Sequence, residues 1–481
     1  MLIFERSHPL PAYVEHARHR ILARAVEPAC RMRLQRAAVP AEAQARSTGD
    51  RPRSSARSEE DAKRRPVSYF SYRDRELHAE AVPLARIAER HGTPCYVYSR
   101  AALTEAFRTF DGAFSERDHL VCYAVKANSN LAILNLFARL GSGFDIVSAG
   151  ELQRVLKAGG NPKKIVFSGV GKQPEEMRAA LDAGILCFNV ESEAELRVLN
   201  QVAGQMNKIA PVSLRVNPDV DARTHPYIST GLKENKFGIP FDEAESLYVS
   251  SHAFSNVRVT GLDCHIGSQL TELAPFVESC EKMLRLLDRL EAQGLQIDHL
   301  DLGGGLGIRY SGENPPLVRE YIDVLRTGVG QRKQRILIEP GRALVGNAGI
   351  LLTRVEYLKH TPHRDFAIVD AAMNDLMRPA LYDAYHEILP VISKDDMSAK
   401  TYQVVGPVCE TGDFLGHDRK LALRQGDLLA IMSAGAYGMS MSSNYNTRPR
   451  AAEVMIDGDD VHLIRERESI EQLTAGEKIL P

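Results

Sequence analysis

The sequence lacks three features that would assign it to a specialised class of protein. Lysine and arginine (60 residues) nearly balance aspartate and glutamate (62), so charge gives no reason to expect nucleic acid or an anionic membrane as a partner. No apolar run is long enough to cross a bilayer. The seven cysteines are scattered without a CxxC pair, which argues against a disulfide scaffold or a zinc site. We therefore expect a cytoplasmic enzyme that binds no metal ion, no membrane and no nucleic acid.

Residues 1–66 differ in composition from the rest of the chain. They are rich in arginine, alanine, proline and serine, and residues 50–65 have the composition of a solvated, disordered tract. Acidic residues such as Glu5 and Glu15 argue against an organelle transit peptide, and no apolar segment of the secretory type is present. We interpret this stretch as a disordered extension before a domain that begins near Val67.

From about Pro94 the chain alternates short apolar segments with amphipathic helical patterns. Several helical segments are followed by glycine, for example Gly141 and Gly184, which is the expected helix stop. Eight strand–helix repeats in about 250 residues predict a (β/α)8 barrel of the TIM type, and the count of eight favours it over an open doubly wound sheet. The predicted strands are 120–125, 144–147, 165–168, 187–190, 212–216, 259–265, 297–302 and 335–338.

After Gly341 the pattern changes to short strands joined by glycine, proline and aspartate turns, with little helical periodicity. This pattern predicts a separate, antiparallel C-terminal β domain, completed by a strand from residues 69–81. The predicted strands are 350–357, 365–369, 401–405, 427–431 and 452–456. The expected organisation is an extension (1–66), a segment that completes the β domain (67–93), the barrel (94–345) and the C-terminal β domain (346–481).

Chemistry in such barrels lies where the strands end. Lys126 follows the first predicted strand. A lysine there is either a strand-end amine that reaches water or, if its pKa is lowered, a nucleophile that forms a Schiff base with an aldehyde. Other ionisable, polar or glycine residues at predicted strand ends are Asp145, Ser148, Arg215, Asn217, His265, Ser268, Gly303–Gly307 and Glu339–Arg342.

Two of these positions have a specific chemical interpretation. The glycines of Leu302-Gly303-Gly304-Gly305-Leu306-Gly307 allow backbone N–H groups to approach an anion such as a phosphate, although a plain tight turn is the alternative. A Rossmann fingerprint is excluded, because the run follows the seventh strand instead of opening the first βαβ unit. Glu339 either forms a salt bridge with Arg342 or faces a protonated heteroaromatic nitrogen, as pyridoxal phosphate requires.

A second cluster falls in the predicted β domain. Arg378 and Tyr382 lie four residues apart, Cys409 precedes Glu410 in a turn bracketed by glycine and proline, and Tyr437 follows. A buried inert thiol is the alternative to a reactive Cys409. His265 is likewise either a satisfied interior histidine or a ring that stacks on a bound cofactor.

Together these segments closely resemble the diaminopimelate decarboxylases, fold-type III pyridoxal-phosphate enzymes in the family that also contains ornithine and arginine decarboxylases. The shared motifs are specific and extend from about Tyr69 to the C-terminus. They include YAVKAN at 123–128, FDIVSAGE at 144–151, GLDCHIGSQ at 261–269, GGGLG at 303–307, EPGR at 339–342, NDLMRPALY at 374–382 and CETGD at 409–413. The resemblance implies an alanine-racemase-like barrel and decarboxylation of meso-2,6-diaminopimelate to L-lysine and carbon dioxide, the last step of bacterial lysine biosynthesis.

The resemblance also implies roles for individual residues. Lys126 would hold pyridoxal 5'-phosphate as a Schiff base, His265 would stack on its ring, and Glu339 would pair with the pyridine nitrogen. The implied phosphate-binding residues are Ser268, Gly303, Gly304, Gly305, Gly341, Arg342 and Tyr437, and Pro340 is implied as a further cofactor-binding residue. The implied substrate-binding residues are Arg342, Arg378, Tyr382, Glu410 and Tyr437.

Two further implications concern assembly. Cys409 would be the general acid, and the other subunit of a head-to-tail homodimer would supply it together with Glu410. The loop that carries His225–Gly231 would cover the mouth of the site. Thr411, where the family commonly has serine, is a small departure that should matter little.

The nearest alternative is a fold-type III decarboxylase that acts on ornithine, arginine or lysine. Diaminopimelate differs from those substrates in carrying a second carboxylate and ammonium at its far end, for which Arg378 and Glu410 are suitable partners. Glu339 argues against an alanine racemase. Retention of Lys126, Glu339 and Cys409 argues against a catalytically inactive, cofactor-free relative that regulates a partner.

Overall fold

The computed structural model describes residues 69–221, 235–394 and 397–481. The predicted extension (1–66) and the predicted covering loop (His225–Gly231) therefore lie outside the described residues. The described chain begins with a small antiparallel sheet of three strands, followed by a helix, a strand and a second helix. These elements are β1 (Phe70–Arg73), β2 (Glu76–Ala79), β3 (Val82–Pro83), α1 (Leu84–His91), β4 (Cys95–Ser99) and α2 (Arg100–Ala113).

A closed parallel barrel forms the centre of the described chain. Its strands are β5 (His119–Ala124), β6 (Gly143–Ile146), β7 (Ile165–Phe167), β8 (Cys187–Val190), β9 (Ala210–Asn217), β10 (Ile239–Pro240), β11 (Val257–Cys264), β12 (His299–Asp301) and β13 (Arg335–Ile338). They follow one another around the ring in the order β9, β11, β12, β13, β5, β6, β7, β8, and β8 pairs back onto β9. The two-residue β10 pairs with the end of β9 outside the ring. The closed ring confirms the predicted (β/α)8 barrel and excludes the open sheet.

Amphipathic helices connect the barrel strands. In the helix Ala274–Ala292, Phe276, Met283 and Leu287 are buried and lie seven and four residues apart. This spacing places them on one face of the helix, which packs on the barrel, while the opposite face is in contact with water. Serine caps fix helix starts near the carboxyl ends of strands, as where Ser148 Oγ accepts a hydrogen bond from Glu151 N (3.2 Å). The helices are α3 (Leu131–Arg139), α4 (Ala149–Lys157), α5 (Pro174–Ala183), α6 (Glu193–Gln205), α7 (Phe241–Ser250), α8 (Ala274–Ala292), α9 (Val318–Val329) and α10 (Arg342–Val345).

The C-terminal part builds a second sheet. Most neighbouring strands are antiparallel, but β15–β17 and β4–β20 are parallel, so the sheet is mixed. Its strands are β4, β14 (Gly349–His360), β15 (Asp365–Val369), β16 (Ile388–Pro390), β17 (Lys400–Val405), β18 (Phe414–Leu421), β19 (Leu428–Ile431), β20 (Ala452–Asp457) and β21 (Asp460–Arg465). The short helices α11 (Arg378–Tyr382) and α12 (Ile470–Thr474) belong to the same part of the chain. No described helix has both the length and the apolar composition to cross a membrane.

One expectation about this sheet is wrong. The strand that enters it from the N-terminal side is β4, which lies between β14 and β20, and not a strand from residues 69–81. All five residues of β4 are buried, which suits a central strand. Three of the four residues of β1 are at least partly exposed, which suits the small separate sheet. That sheet contacts the C-terminal part through a bridge between Glu76 and Ile392, through hydrogen bonds such as Leu77 N to Val391 O (2.8 Å), and through a shared apolar core.

Candidate active site

A cavity of about 480 Å³ opens at the carboxyl ends of the barrel strands. Residues from the barrel and from the C-terminal part line it together. Seven of the residues singled out from the sequence are among them: Lys126, His265, Ser268, Arg342, Arg378, Tyr382 and Tyr437. Ligand sites in barrels of this architecture lie at this end, where functional groups from several strands converge.

Lys126 lies in a single helical turn, Val125–Ala127, directly after β5. Its Nζ donates a hydrogen bond to Oδ2 of Asp145 at 2.6 Å, and Asp145 is fully buried on the neighbouring strand β6. Burial by itself lowers the pKa of Lys126, but the carboxylates of Asp145 and Glu339 oppose it and leave the pKa raised. The lowered pKa considered from the sequence is therefore wrong for the cofactor-free protein, because the strand next to Lys126 supplies a carboxylate partner.

Glu339 directly follows β13 and lies against the glycine turn. Its Oε1 accepts hydrogen bonds from Ser168 Oγ (3.4 Å) and Asn189 Nδ2 (3.3 Å). Carboxyl oxygens of Asp263, Asp301 and Glu339 lie within 4.8 Å of one another, and burial followed by repulsion from neighbouring carboxylates raises the pKa of Glu339. Among the described residues Glu339 forms no ion pair with Arg342, so the salt bridge considered from the sequence does not form.

His265 follows β11 and is held by the glycine turn. Gly304 N donates a hydrogen bond to His265 Nδ1 at 3.1 Å, which leaves the other ring nitrogen to carry the proton. Burial, followed by the positive charges of Arg215 and Lys126, lowers the pKa of His265 well below its usual value. The imidazole is therefore a neutral flat ring at physiological pH, suited to lie against a heteroaromatic ligand.

The glycines of the turn are required by close backbone packing. Gly303 has a φ of +66°, and a Cβ there would lie 2.5 Å from Cys264 O. A Cβ on Gly304 would lie 2.2 Å from Glu339 O. Gly305 O accepts a hydrogen bond from Leu270 N at 2.9 Å, and Pro340 O accepts one from Ala124 N at 3.2 Å. The turn after β12 thus packs directly on the EPGR segment after β13, which fixes both against the cavity.

Two buried arginines share one tyrosine in the cavity wall. Arg342 Nη1 donates to Tyr310 Oη (2.7 Å) and Arg342 Nη2 donates to Ser268 Oγ (3.1 Å). The Cζ of Arg378 lies 4.6 Å from the centre of the Tyr310 ring, which is within cation–π range. Arg378 Nη1 lies 2.8 Å from His386 Nε2. Tyr437 adds a second ring 4.9 Å from the Cζ of Arg342.

Cys409 and Glu410 do not line this cavity. Cys409 is exposed, and its backbone N donates to Asn446 Oδ1 at 2.8 Å. Glu410 Oε2 accepts from Tyr445 Oη at 3.3 Å on the surface. Because its thiol is exposed, Cys409 is not the buried, inert cysteine that was the alternative interpretation of the sequence.

The donor set fits pyridoxal phosphate. It offers an amine for an aldehyde at Lys126, a carboxyl group inside the barrel at Glu339, and a neutral ring at His265. It also offers a hydroxyl and a guanidinium for a phosphate, at Ser268 and Arg342. Sequence reasoning missed Tyr310 and His386, although Tyr310 follows the glycine turn by three residues and His386 follows Tyr382 by four.

Comparisons with known proteins agree with this chemistry. The family model of the pyridoxal-binding domain of pyridoxal-dependent decarboxylases matches residues 100–346. The chain is 61% identical to the diaminopimelate decarboxylase of Pseudomonas aeruginosa over 412 residues, which is 86% of this chain and 99% of the relative. It is 58% identical to that of Vibrio cholerae, over 86% of this chain and 100% of the relative.

Solved structures give the same similarity. Diaminopimelate decarboxylase from Helicobacter pylori complexed with L-lysine matches with a TM-score of 0.79 at 42% identity, covering 82% of this chain and 98% of that structure. The enzyme from M. jannaschii in complex with L-lysine matches with a TM-score of 0.82 at 39% identity, covering 86% and 98%.

Proposed function

Because the chain belongs to the diaminopimelate decarboxylase family of pyridoxal-dependent enzymes, we propose that the cavity around Lys126 is its active site. The reaction is the pyridoxal-phosphate-dependent decarboxylation of meso-2,6-diaminopimelate to L-lysine and carbon dioxide, the last step of bacterial lysine biosynthesis. The residue roles below, the dimer and the cellular compartment are our proposals.

One observation carries the assignment of the substrate site. Arg342 and Arg378 are both buried and line the cavity, yet among the described residues neither forms an ion pair with a carboxylate. A buried unpaired cation is costly, so two of them facing one cavity indicate anionic ligands from outside the chain. A cofactor phosphate and the far-end carboxylate of diaminopimelate supply those anions. A decarboxylase that produces a simple diamine has no use for the second arginine.

When bound, pyridoxal phosphate supplies an aldehyde that captures the substrate amine and a ring that accepts the electrons released as carbon dioxide leaves. Lys126 would hold the cofactor through its side-chain amine. Glu339 would pair with the pyridine nitrogen and favour its protonated form, because an adjacent carboxylate raises the pKa of a cationic group. His265 would cover one face of the ring and keep water away from it.

The phosphate and the substrate would share Arg342 and Tyr437 and would otherwise contact different residues. The phosphate-binding residues are Ser268, Gly303, Gly304, Gly305, Gly341, Arg342 and Tyr437, and Pro340 belongs to the same cofactor-binding segment. Arg378 and Tyr382 bind the far end of the substrate, with Arg342 and Tyr437 beside them. Guanidinium groups suit this task, because they donate two parallel hydrogen bonds to one carboxylate.

We also propose that the enzyme is a homodimer in which the partner subunit supplies Cys409 and Glu410 to each site. Both residues are exposed and outside their own chain's cavity, which is the arrangement expected of groups that complete a neighbour's site. Cys409 then delivers the proton to the α-carbon that has lost its carboxylate, and Glu410 binds the far-end ammonium.

Mixed dimers test this sharing. Chains carrying Lys126→Ala and chains carrying Cys409→Ala are each expected to be inactive, whereas their co-expression should restore about a quarter of wild-type activity, since random pairing makes half the dimers mixed, each with one intact site. Mixed dimers that form but stay inactive would contradict the proposal.

The reaction itself is tested by carbon dioxide release from meso-diaminopimelate, L-lysine, L-ornithine and L-arginine under identical conditions. Release from meso-diaminopimelate alone supports the assignment, and faster release from ornithine or arginine overturns it in favour of the alternative. We place the enzyme in the cytoplasm, because the six cysteines among the described residues are all free. Fractionation of cells followed by immunoblotting tests that location.

A further inference from the structure

We propose that His386 is a positioning residue that orients Arg378 toward the far-end carboxylate of the substrate without neutralising the charge of Arg378. The inference rests on the proposed function, because it takes Arg378 as the partner of that carboxylate. His386 lies between α11 and β16 and does not line the cavity itself. It therefore acts on the substrate only through Arg378.

The hydrogen bonds of His386 fix the position of its proton. His386 Nδ1 lies 2.8 Å from the backbone oxygen of Met432, and a carbonyl oxygen can only accept, so Nδ1 carries the proton. The lone pair of Nε2 is then free to accept, and Arg378 Nη1 donates to it at 2.8 Å. Met432 is itself anchored, since its backbone N donates to Glu387 O at 2.8 Å. The end of β19 thus determines where the guanidinium of Arg378 points.

The surroundings keep this imidazole neutral. His386 is fully buried, and the ring of Tyr310 packs edge-on against it with centroids 5.2 Å apart. The charged groups that act on it are Arg378, Arg342 and Arg419, all cationic. Burial first, and then Arg378, lower the pKa of His386 to about 3. The ring therefore stays an uncharged acceptor throughout the physiological pH range.

A neutral acceptor is the suitable partner for an arginine that must bind a carboxylate. An aspartate or glutamate at this position would pair with Arg378 and compete with the substrate for its charge. The imidazole instead satisfies one N–H, and the Tyr310 ring supports the flat face at 4.6 Å from Cζ. The positive charge and the remaining donors of Arg378 stay available to the ligand in the cavity.

The test uses two ligands that differ at the far end. L-lysine keeps the carboxylate that diaminopimelate carries there, whereas cadaverine has none. Inhibition constants of both against meso-diaminopimelate turnover are measured in the holoenzyme for wild type, His386→Asn and His386→Gln. Asparagine can still donate to Met432 O but is too short to reach Arg378, whereas glutamine can place its oxygen near the position of Nε2.

The expected results separate positioning from general damage. His386→Asn should weaken L-lysine inhibition and raise KM for meso-diaminopimelate about tenfold, while cadaverine inhibition stays within about twofold, since only the charge-assisted contact is lost. His386→Gln should restore most of the L-lysine inhibition. Equal weakening of both inhibitors by His386→Asn, no weakening of either, or a glutamine variant as defective toward L-lysine as the asparagine variant would each overturn the proposal.

Two controls keep the result interpretable. If His386→Asn does not fold, His386→Gln alone must hold L-lysine inhibition within about threefold of wild type while its cadaverine inhibition is unchanged, and failure of either overturns the proposal. Wild-type release of carbon dioxide from meso-diaminopimelate is measured first, because its absence would defeat the proposed function and not the role of His386.

Discussion

Replacing Asp145 with asparagine removes the carboxylate that keeps Lys126 protonated in the cofactor-free protein. Asp145 Oδ2 lies 2.6 Å from Lys126 Nζ, and Asp145 is fully buried. Burial, which lowers the pKa of Lys126, would then be opposed mainly by Glu339. We therefore expect Asp145→Asn to lower the pKa of Lys126 and to make its amine a better nucleophile near neutral pH.

The size of the shift follows from Coulomb's law. At 2.6 Å and an effective dielectric constant of about 20, two unit charges attract by roughly 6 kcal/mol. The side chain of Lys126 is 38% exposed, so water screens this attraction and we reduce it to about 2–3 kcal/mol. That energy corresponds to roughly two pKa units, and the neutral fraction of the amine at a given pH then rises about a hundredfold.

The assay follows Schiff-base absorbance after pyridoxal phosphate is mixed with cofactor-free protein across a range of pH. The rate for wild type should rise steeply with pH, and the same rise should occur about two pH units lower for Asp145→Asn. Asp182→Asn is a matched control, because Asp182 pairs with Lys208 on the surface. Identical pH profiles for Asp145→Asn and wild type would refute the reasoning.

Three other substitutions give separate tests. Arg378→Ala should lower kcat/KM for meso-diaminopimelate on the order of a hundredfold, since each charged hydrogen bond contributes about 1.5–3 kcal/mol, and unchanged kinetics would remove Arg378 from the substrate site. Burial raises the pKa of Asp375 to about 7, so the folded state keeps a proton that the unfolded state loses near pH 4, and stability falls as pH rises between those values. Asp375→Asn should remove that fall. The unfolding free energy of Asp375→Asn minus that of wild type should therefore increase by up to about 4 kcal/mol between pH 4 and pH 8, and a difference that does not change with pH would contradict this prediction. Gly304→Ala places a Cβ 2.2 Å from Glu339 O, and we expect dialysed protein to lose pyridoxal phosphate, whereas full retention would show that the turn can shift.

The barrel could be predicted from the sequence because its strands are buried on both faces. All residues of Gly143–Ile146, Ile165–Phe167 and Cys187–Val190 are buried, so each strand reads as a short, mostly apolar segment between helical patterns, with Asp145 and Asn189 as its polar members. The closing pair β13–β5 joins the last barrel strand to the first, as the pairing of Ile336 with His119 shows, and only the count of eight suggested this long-range contact.

The C-terminal sheet was harder to predict for a physical reason. In β18 the side chains of His417, Asp418 and Lys420 are exposed, and no residue of β21 is buried, so neither strand has a continuous apolar pattern. β4 has such a pattern, but its partners β14 and β20 are more than 250 and 350 residues distant in sequence, as the pairings Gly349–Tyr98 and Ala452–Cys95 illustrate. Sequence periodicity indicates that a strand is central without indicating which sheet contains it.

Site residues at strand ends could be found because the barrel places them at one face. Lys126, His265 and Glu339 were found in this way, and all three lie around the glycine turn or the cavity. Tyr310 and His386 lie in irregular segments, where no periodicity predicts direction. The raised pKa of Lys126 was also beyond the sequence, because it depends on a distance between side chains of two strands.

The central claim is that Lys126 is the residue that carries the cofactor. Borohydride reduction of the native holoenzyme, followed by proteolysis and mass spectrometry, measures this directly. We predict that the pyridoxyl label is found on the peptide that contains Lys126 and on no other lysine. A label on a different lysine, or an unlabelled Lys126 in protein that releases carbon dioxide from meso-diaminopimelate, would contradict the account.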